Sequence, residues 1–460
     1  MLRKTGLEYS VPARGGWTIV HVGMLVPEAH EIFVCAAGCL RGVVLSAAEM
    51  NLTGRFSTVA IEEHNVTDGD MEELLIEGVS DILERLEKRP PCVLVYTSCI
   101  HHFMGTDLDD CFRVLGERFP DVDFVDCYMT PTMRKSTLNP DKMMRKRLYA
   151  AIKPLKTDEN DVLLCGNCFA VTDSCDIKVL IEKAGKRLLE LPNTDNYADY
   201  KKLGSAGLII SNLSVAKDAA DELAAKLGVK SLQIPFSFGY NEIKDNLVKL
   251  AGAVGTEYTT FEADCRKADE ALRAAKDVIG DCRIAIDGMI TTRPYSLARL
   301  LAEHGFNIDI VFSDSVGGED TDYEWLKKNV PGIRFEKCVS PDMRTYRYEE
   351  PVESSDSKLV QVQDNTSDNG SYNTSITSDN GNNKSDIAES FGNKPKILAL
   401  GQKAAYFTQS SYFVDMVENG PLYGFDGIVR LSEMMTESFL NAKDLKKTLD
   451  IKGWGCESCI

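Results

Sequence analysis

The amino-acid sequence predicts an α/β protein of three units, each a parallel sheet flanked by helices. Short apolar runs rich in Ile, Val, Leu and Phe alternate with amphipathic stretches of helical period, the pattern of parallel strands joined by crossover helices. Two of the runs end at a Cys where a turn is expected to begin before the next helix. The length of 460 residues, with 43% hydrophobic and 27% charged residues, suits about three domains with sizeable cores.

The first unit spans residues 1–155. A strand at Glu31–Val34 leads into a turn holding Cys39, a helix at Leu40–Met50 and a strand at Phe56–Ile61. Asp70 and Glu73 have capping-box spacing at the head of a long helix whose Leu74, Leu75, Val79, Ile82, Leu83 and Leu86 share a face. Pro90-Pro91 ends it, and a strand from Cys92 runs to Cys99. After a Gly turn, Thr106 and Asp109 have the same capping spacing, and Leu108, Phe112, Leu115 and Phe119 give the next helix an apolar face. Val122–Cys127 closes this unit as a strand.

The second unit, 156–278, opens with the strand Asp161–Cys165, places Gly166-Asn167-Cys168 at its end, and continues with a helix at Cys175–Ala184. Strands at Gly207–Ser211 and Ser231–Ile234 follow, then a connecting helix at Asp264–Val278. The third, 279–460, has strands at Arg283–Gly288, Ile308–Ser313 and Lys396–Gly401. The whole reads as three Rossmann-like domains in series. Residues 354–393, rich in Ser, Asn, Asp and Gly, bury too little to offset the entropy of ordering and are expected to be a disordered insertion.

The net charge of −18 and the lack of a dense Lys/Arg stripe argue against nucleic acid or an anionic membrane as partner. The apolar stretch Trp17–Val26 is too short to span a bilayer, so no membrane span or signal peptide is expected and the location is read as cytoplasmic. No G-x-x-x-x-G-K-[ST] loop occurs, so any use of ATP would belong to a partner.

Fourteen cysteines are too sparse for a disulfide scaffold and more than a core needs, which points to metal or redox use. Cys39 and Cys99 both fall where an apolar strand stops and a loop begins. Strand ends in open parallel sheets are where cofactors collect, and two thiols on one rim can ligate a metal cluster. The competing reading is that Cys is a small apolar residue often buried in cores; Cys92, Cys111, Cys127, Cys265, Cys282 and Cys338 are assigned to core or surface. Cys35, four residues before Cys39, is a third candidate ligand. Two C-x-x-C pairs form secondary candidates: Cys165 and Cys168, with Cys175 nearby, and Cys456 and Cys459 in the C-terminal tail. His101 and His102 are loop candidates for proton donation, with plain loop histidines as the alternative. Asp314, Gly317, Gly318 and the Asp320–Asp322 segment read as loop residues facing a cavity, and Gly424–Gly427 as a tight turn.

Tyr96-Thr-Ser-Cys99 followed by Met104-Gly-Thr-Asp-Leu108 resembles the "TTC…GDDL" segment of nitrogenase component 1 subunits and their relatives, among them the dark-operative protochlorophyllide reductases. Gly38-Cys39 resembles the family's upstream "GC" ligand, His64–Leu74 the segment before the intervening helix, and Gly420–Gly427 the "GPYHGFDG" motif. These matches are ordered along nearly the whole chain. The resemblance implies an oxidoreductase subunit with an iron-sulfur cluster of the [4Fe-4S] kind between subunits. It also implies a homodimer or a heterotetramer with a homologous chain, an ATP-dependent iron protein as reductase, and a small-molecule substrate. A cluster wants about four thiolates. Family members with three cysteines place one near the position of Ala13–Thr18, where this sequence has none. The Cys and His that hold a molybdenum- or vanadium-type cofactor in nitrogenases also lack counterparts in Ile209–Ser214 and Phe413–Asn419, so dinitrogen reduction with a cofactor bound in the usual way is not expected. The alternatives are a scaffold for metal-cluster assembly without turnover and a metal-free binding protein.

Overall fold

The computed structural model describes residues 8–349 and 397–451, apart from residues 14, 131, 133–136 and 138. The insertion at 354–393 and the tail cysteines Cys456 and Cys459 lie outside the described residues.

Three parallel sheets, each flanked by helices, make up the fold. The first contains β1 (His30–Ala36), β2 (Phe56–Ile61), β3 (Cys92–Ser98) and β4 (Asp123–Met129) in the order β2-β1-β3-β4. The second contains β5 (Asp158–Leu164), β6 (Arg187–Glu190), β7 (Ala206–Ser211) and β8 (Lys230–Gln233) in the order β6-β5-β7-β8. The third contains β9 (Arg283–Asp287), β10 (Asn307–Phe312), β11 (Arg334–Glu336), β12 (Ile397–Leu400) and β13 (Phe413–Val414) in the order β11-β10-β9-β12-β13. In each sheet the strand order reverses once, between β1 and β3, β5 and β7, and β9 and β12. These reversals open the crevices where such sheets bind ligands.

The apolar runs are continuous because both faces of each sheet are covered. In β1, Ile32 and Val34 face the helices Met71–Arg85 and Leu108–Arg118, while Phe33 and Cys35 face the second unit. The second sheet serves two cores at once: Leu163 and Ile209 join the core shared with the first sheet, and Val162, Leu164 and Ile210 the core shared with the third. The strand period of two makes this division automatic.

Three local expectations are corrected. Asp70 does not cap its helix; its carboxylate accepts from Asn65 Nδ2 at 3.1 and 3.2 Å. Asp107 rather than Thr106 caps the helix Leu108–Arg118, accepting from the Asp110 amide at 3.0 Å, because its shorter reach from one residue later meets that N–H. Gly424–Gly427 is no isolated turn but the first turn of the helix Gly424–Leu440. That helix starts on the second unit: Asp176 Oδ2 accepts from the Asp426 amide at 3.1 Å. Gly424 has φ +67°, and a Cβ there would stand 2.2 Å from Asp176 Oδ2, so the left-handed start admits only glycine. Among the described residues no helix is long and apolar enough to cross a membrane.

Candidate functional site

β1 and β3 lie side by side in parallel, with Val34 paired to Thr97, so both strands reach the rim together. Neither ends in a loop. Ala36, extended at ψ 144°, turns β1 directly into the helix Ala37–Glu49, and Ser98, at ψ 171°, turns β3 into the helix Cys99–Met104. Cys39 and Cys99, expected in loops, therefore sit in the first turns of two neighbouring helices at the switch point of the first sheet.

Cys39 is exposed and Cys99 partly so. Around them Ala37, Gly38, Arg41 and Gly42 are open to solvent, together with Phe103 at 72% and Met104 at 42% exposure. Large apolar side chains this exposed beside two thiols make a surface that water solvates poorly. Cys35 is wholly buried in the core facing the second unit. Burial, reinforced by the nearby Cys39 and Cys99, pushes its thiol up to about 12. Among the described residues, no three His, Cys, Asp or Glu side chains are arranged to hold a metal ion. The donors this rim offers a metal cluster are two accessible thiols, Cys39 and Cys99, while Cys35 points into the core.

His101 is not a free loop histidine. It is 1% exposed, its Nδ1 accepts from the Ser98 amide at 3.2 Å, and its Nε2 has no partner among the described residues. Burial holds it down to about 4, which keeps it neutral. His102 is exposed.

Cys165 and Cys168 lie at the switch point between β5 and β7, beside Asn167 and Asn212, whose side-chain oxygens are buried and without a partner among the described residues. Cys175 stands apart: it faces the core shared with the third sheet, whereas Cys165 and Cys168 face the first. Burial pushes the three thiols up to about 12, 11 and 12 in the order Cys165, Cys168, Cys175.

Arg145, from the helix Pro140–Arg147, reaches this place wholly buried. It donates from Nη1 to Gly166 O and, at 3.1 Å, to Cys168 Sγ. Its Nε meets Asp141 at 3.2 Å and its Nη2 meets Glu418 Oε2 at 2.8 Å. The other Glu418 oxygen accepts from the Trp17 amide at 3.2 Å. Burial raises the Glu418 carboxyl, and Arg145 opposes that rise. Glu418 and Asn419 both hold positive φ, 49° and 70°, and Asn419 Oδ1 fixes the bend by accepting from Thr291 Oγ1 at 2.5 Å and the Thr292 amide at 3.2 Å. Nothing local in the sequence signals this pair; only a buried Arg with carboxylates around it identifies it.

At the third switch point, Asp287 is fully buried and accepts from the amides of Met289, Ile290 and Ala404 at 2.8, 3.2 and 2.9 Å. Asp314 and Gly317 line a cavity of ≈140 Å³ there with Lys403 and Glu319. Asp320 and Asp322, expected in a loop, begin the helix Asp320–Asn329.

Among solved structures, a chain titled "Nitrogenase Cp1 at pH 6.5" superposes with a TM-score of 0.63 at 15% identity, covering 96% of this chain and 95% of that one. Another, "Nitrogenase Cp1 at pH 5", gives 0.52 at 13% identity over 94% and 90%. At such identity the likeness speaks for the fold. No curated protein matches the sequence. The family model described as nitrogenase component 1 type oxidoreductase matches residues 19–440, which take in all three sheets. With that match over nearly the whole chain, the protein belongs to the nitrogenase component 1 type oxidoreductase family.

Proposed function

We propose that the chain is an electron-accepting component 1 subunit whose Cys39 and Cys99 hold a [4Fe-4S] cluster jointly with a homologous chain, either a second copy or a sister subunit. The observation that carries the reading is the placement of these two thiols: accessible, on adjacent strand ends, at a switch point and on an exposed apolar face. When bound, such a cluster supplies one-electron transfer. Phe103 and Met104 would seal the rim against the partner and exclude water, while the buried neutral His101 sets the first turn that carries Cys99. A separate ATP-hydrolysing iron protein is the proposed reductase, and the substrate is an unidentified small molecule, reduced in the cytoplasm.

The test is iron and acid-labile sulfide content, with EPR, on anaerobically purified protein. Cys39→Ala and Cys99→Ala are expected to abolish the cluster and Cys35→Ala to leave it in place. Loss with Cys35→Ala would mean three local ligands. A full iron complement untouched by all three changes would move the centre to Cys165 and Cys168 or to the tail. Cluster transfer to another protein without turnover would mark an assembly scaffold instead, and absence of iron would leave a metal-free binding protein.

A further inference from the structure

A cavity of ≈580 Å³ opens between the first and second units, lined among others by Met24, Leu25, Phe169 and Pro421. It lies at the opposite end of the first sheet from the cysteine rim. Met24 and Leu25 precede β1 and Arg55 precedes β2, whereas Cys39 and Cys99 follow β1 and β3. The seven residues of β1 separate the two places by about 20 Å. On the second sheet, the cavity takes the trailing end: Cys168 and Phe169 follow β5, and Thr194 follows β6.

The walls are apolar and the polar groups few, as in small-molecule pockets, which span about 300–1,000 Å³. Phe169 is held edge-on by Trp17, ring centroids 4.9 Å apart, and so presents a fixed aromatic surface. Cys168 also lines the cavity, its sulfur already accepting from Arg145 at 3.1 Å.

Arg55 supplies the charge. Its Nε donates to Ala29 O at 2.8 Å and its Nη2 to Val26 O at 2.5 Å, which fixes the guanidinium plane. Nη1 makes no hydrogen bond among the described residues. Of the carboxyls near it, Glu31 is fully buried with its Oε1 on the Tyr96 hydroxyl at 3.2 Å, and Glu28 is taken up by the Tyr197 amide at 3.1 Å and Lys88 at 3.2 Å. A pinned guanidinium with both Nη1 N–H groups free, set in an apolar wall, selects an oxyanion attached to an apolar body.

We propose that this cavity binds a flat apolar monoanion, its ring system against Phe169 and its acid group on Arg55. The site is independent of the cluster reading, and its test needs no metal.

The experiment uses the full chain and two fluorescent probes of one shape: 8-anilinonaphthalene-1-sulfonate and its neutral parent N-phenyl-1-naphthylamine. Saturable one-to-one binding is expected, at least tenfold tighter for the sulfonate. Ala170→Trp, which fills the cavity, should weaken both probes at least tenfold, and Arg55→Gln should erase the preference for the sulfonate. Because Arg55 also holds two carbonyls, circular dichroism and the thermal midpoint are recorded for each variant; Ala170→Trp tests the site without disturbing those bonds. Unchanged binding by Ala170→Trp, no saturable binding by the wild type, or loss of the signal in Phe103→Ser, which removes the exposed apolar face instead, would each overturn the proposal.

Discussion

Arg145 and Glu418 stand 273 positions apart in the chain and 2.8 Å apart in the fold. Through them one wholly buried guanidinium ties the loop after β5, the approach to the last long helix and, by the Trp17 amide, the chain's N-terminal segment. Replacing Arg145 by Met leaves two carboxylates facing a buried apolar side chain. The expected loss is about 3–5 kcal/mol, the range for breaking a buried pair by removing one partner. It should be read as a lowered urea midpoint.

Gly424→Ala should destabilise by at least about 2 kcal/mol, since the left-handed backbone alone costs roughly 1–2 kcal/mol for a residue with a Cβ. The added methyl would also displace Asp176 Oδ2, which stands 2.2 Å away. Thermal unfolding measures the effect. Gly427→Ala should cost less, its closest neighbour being the Leu422 side chain at 3.3 Å.

Burial lifts Asp176 from 3.8 to about 7, against the hydrogen bonds from the Asp426 and Phe425 amides. The folded chain keeps this proton until about 7, while the unfolded chain loses it near 3.8, so between those values unfolding releases a proton. The contribution of this carboxyl is therefore fully present below about 3.8 and is lost as pH rises to about 7. Asp176→Asn removes the dependence. Its stability relative to wild type should climb between pH 4 and 7, by at most about 1.4 kcal/mol per pH unit. Thermal midpoints measured across that range decide it; parallel curves would reject the assignment.

Glu31 is fully buried in β1, its carboxyl raised by burial, with Oε1 accepting from Tyr96 at 3.2 Å and Oε2 without a partner among the described residues. Glu31→Met should leave stability unchanged or raise it, because an unsatisfied polar group is exchanged for an apolar one of similar volume. Tyr96→Phe should do the reverse. Its hydroxyl also donates to Ile19 O at 3.0 Å, and removing it strands two buried acceptors at about 1–3 kcal/mol. Denaturant midpoints of the two variants should move in opposite directions, or only the second should move.

Much of the architecture was legible because parallel strands announce themselves as continuous apolar runs. Phe56–Ile61 is a strand within its expected bounds, and the expected strands at Arg283, Ile308 and Lys396 fall within a residue or two of β9, β10 and β12. Short β6 was not foreseen, since Arg187-Leu-Leu-Glu190 carries only two apolar residues. Cys39 and Cys99 could be placed at strand ends, yet their helical setting could not, because Ala36 and Ser98 each end a strand and cap a helix at once, with no loop residue between. Arg145 and Glu418 were invisible for another reason. Each occupies a polar-looking local context, and only the tertiary fold makes them neighbours.

The third sheet is assembled from two stretches of chain, with β12 lodged between β9 and β13 after the long excursion from the edge strand β11. Residues 397–451 are thus gripped as an interior strand and by the pairing of the helices Phe261–Ile279 and Gly424–Leu440, whether or not a peptide link to residue 349 persists. The stretch 397–451 is accordingly held by packing of its own, and two separately made fragments, one carrying it and one carrying β9, are expected to reassemble into one molecule.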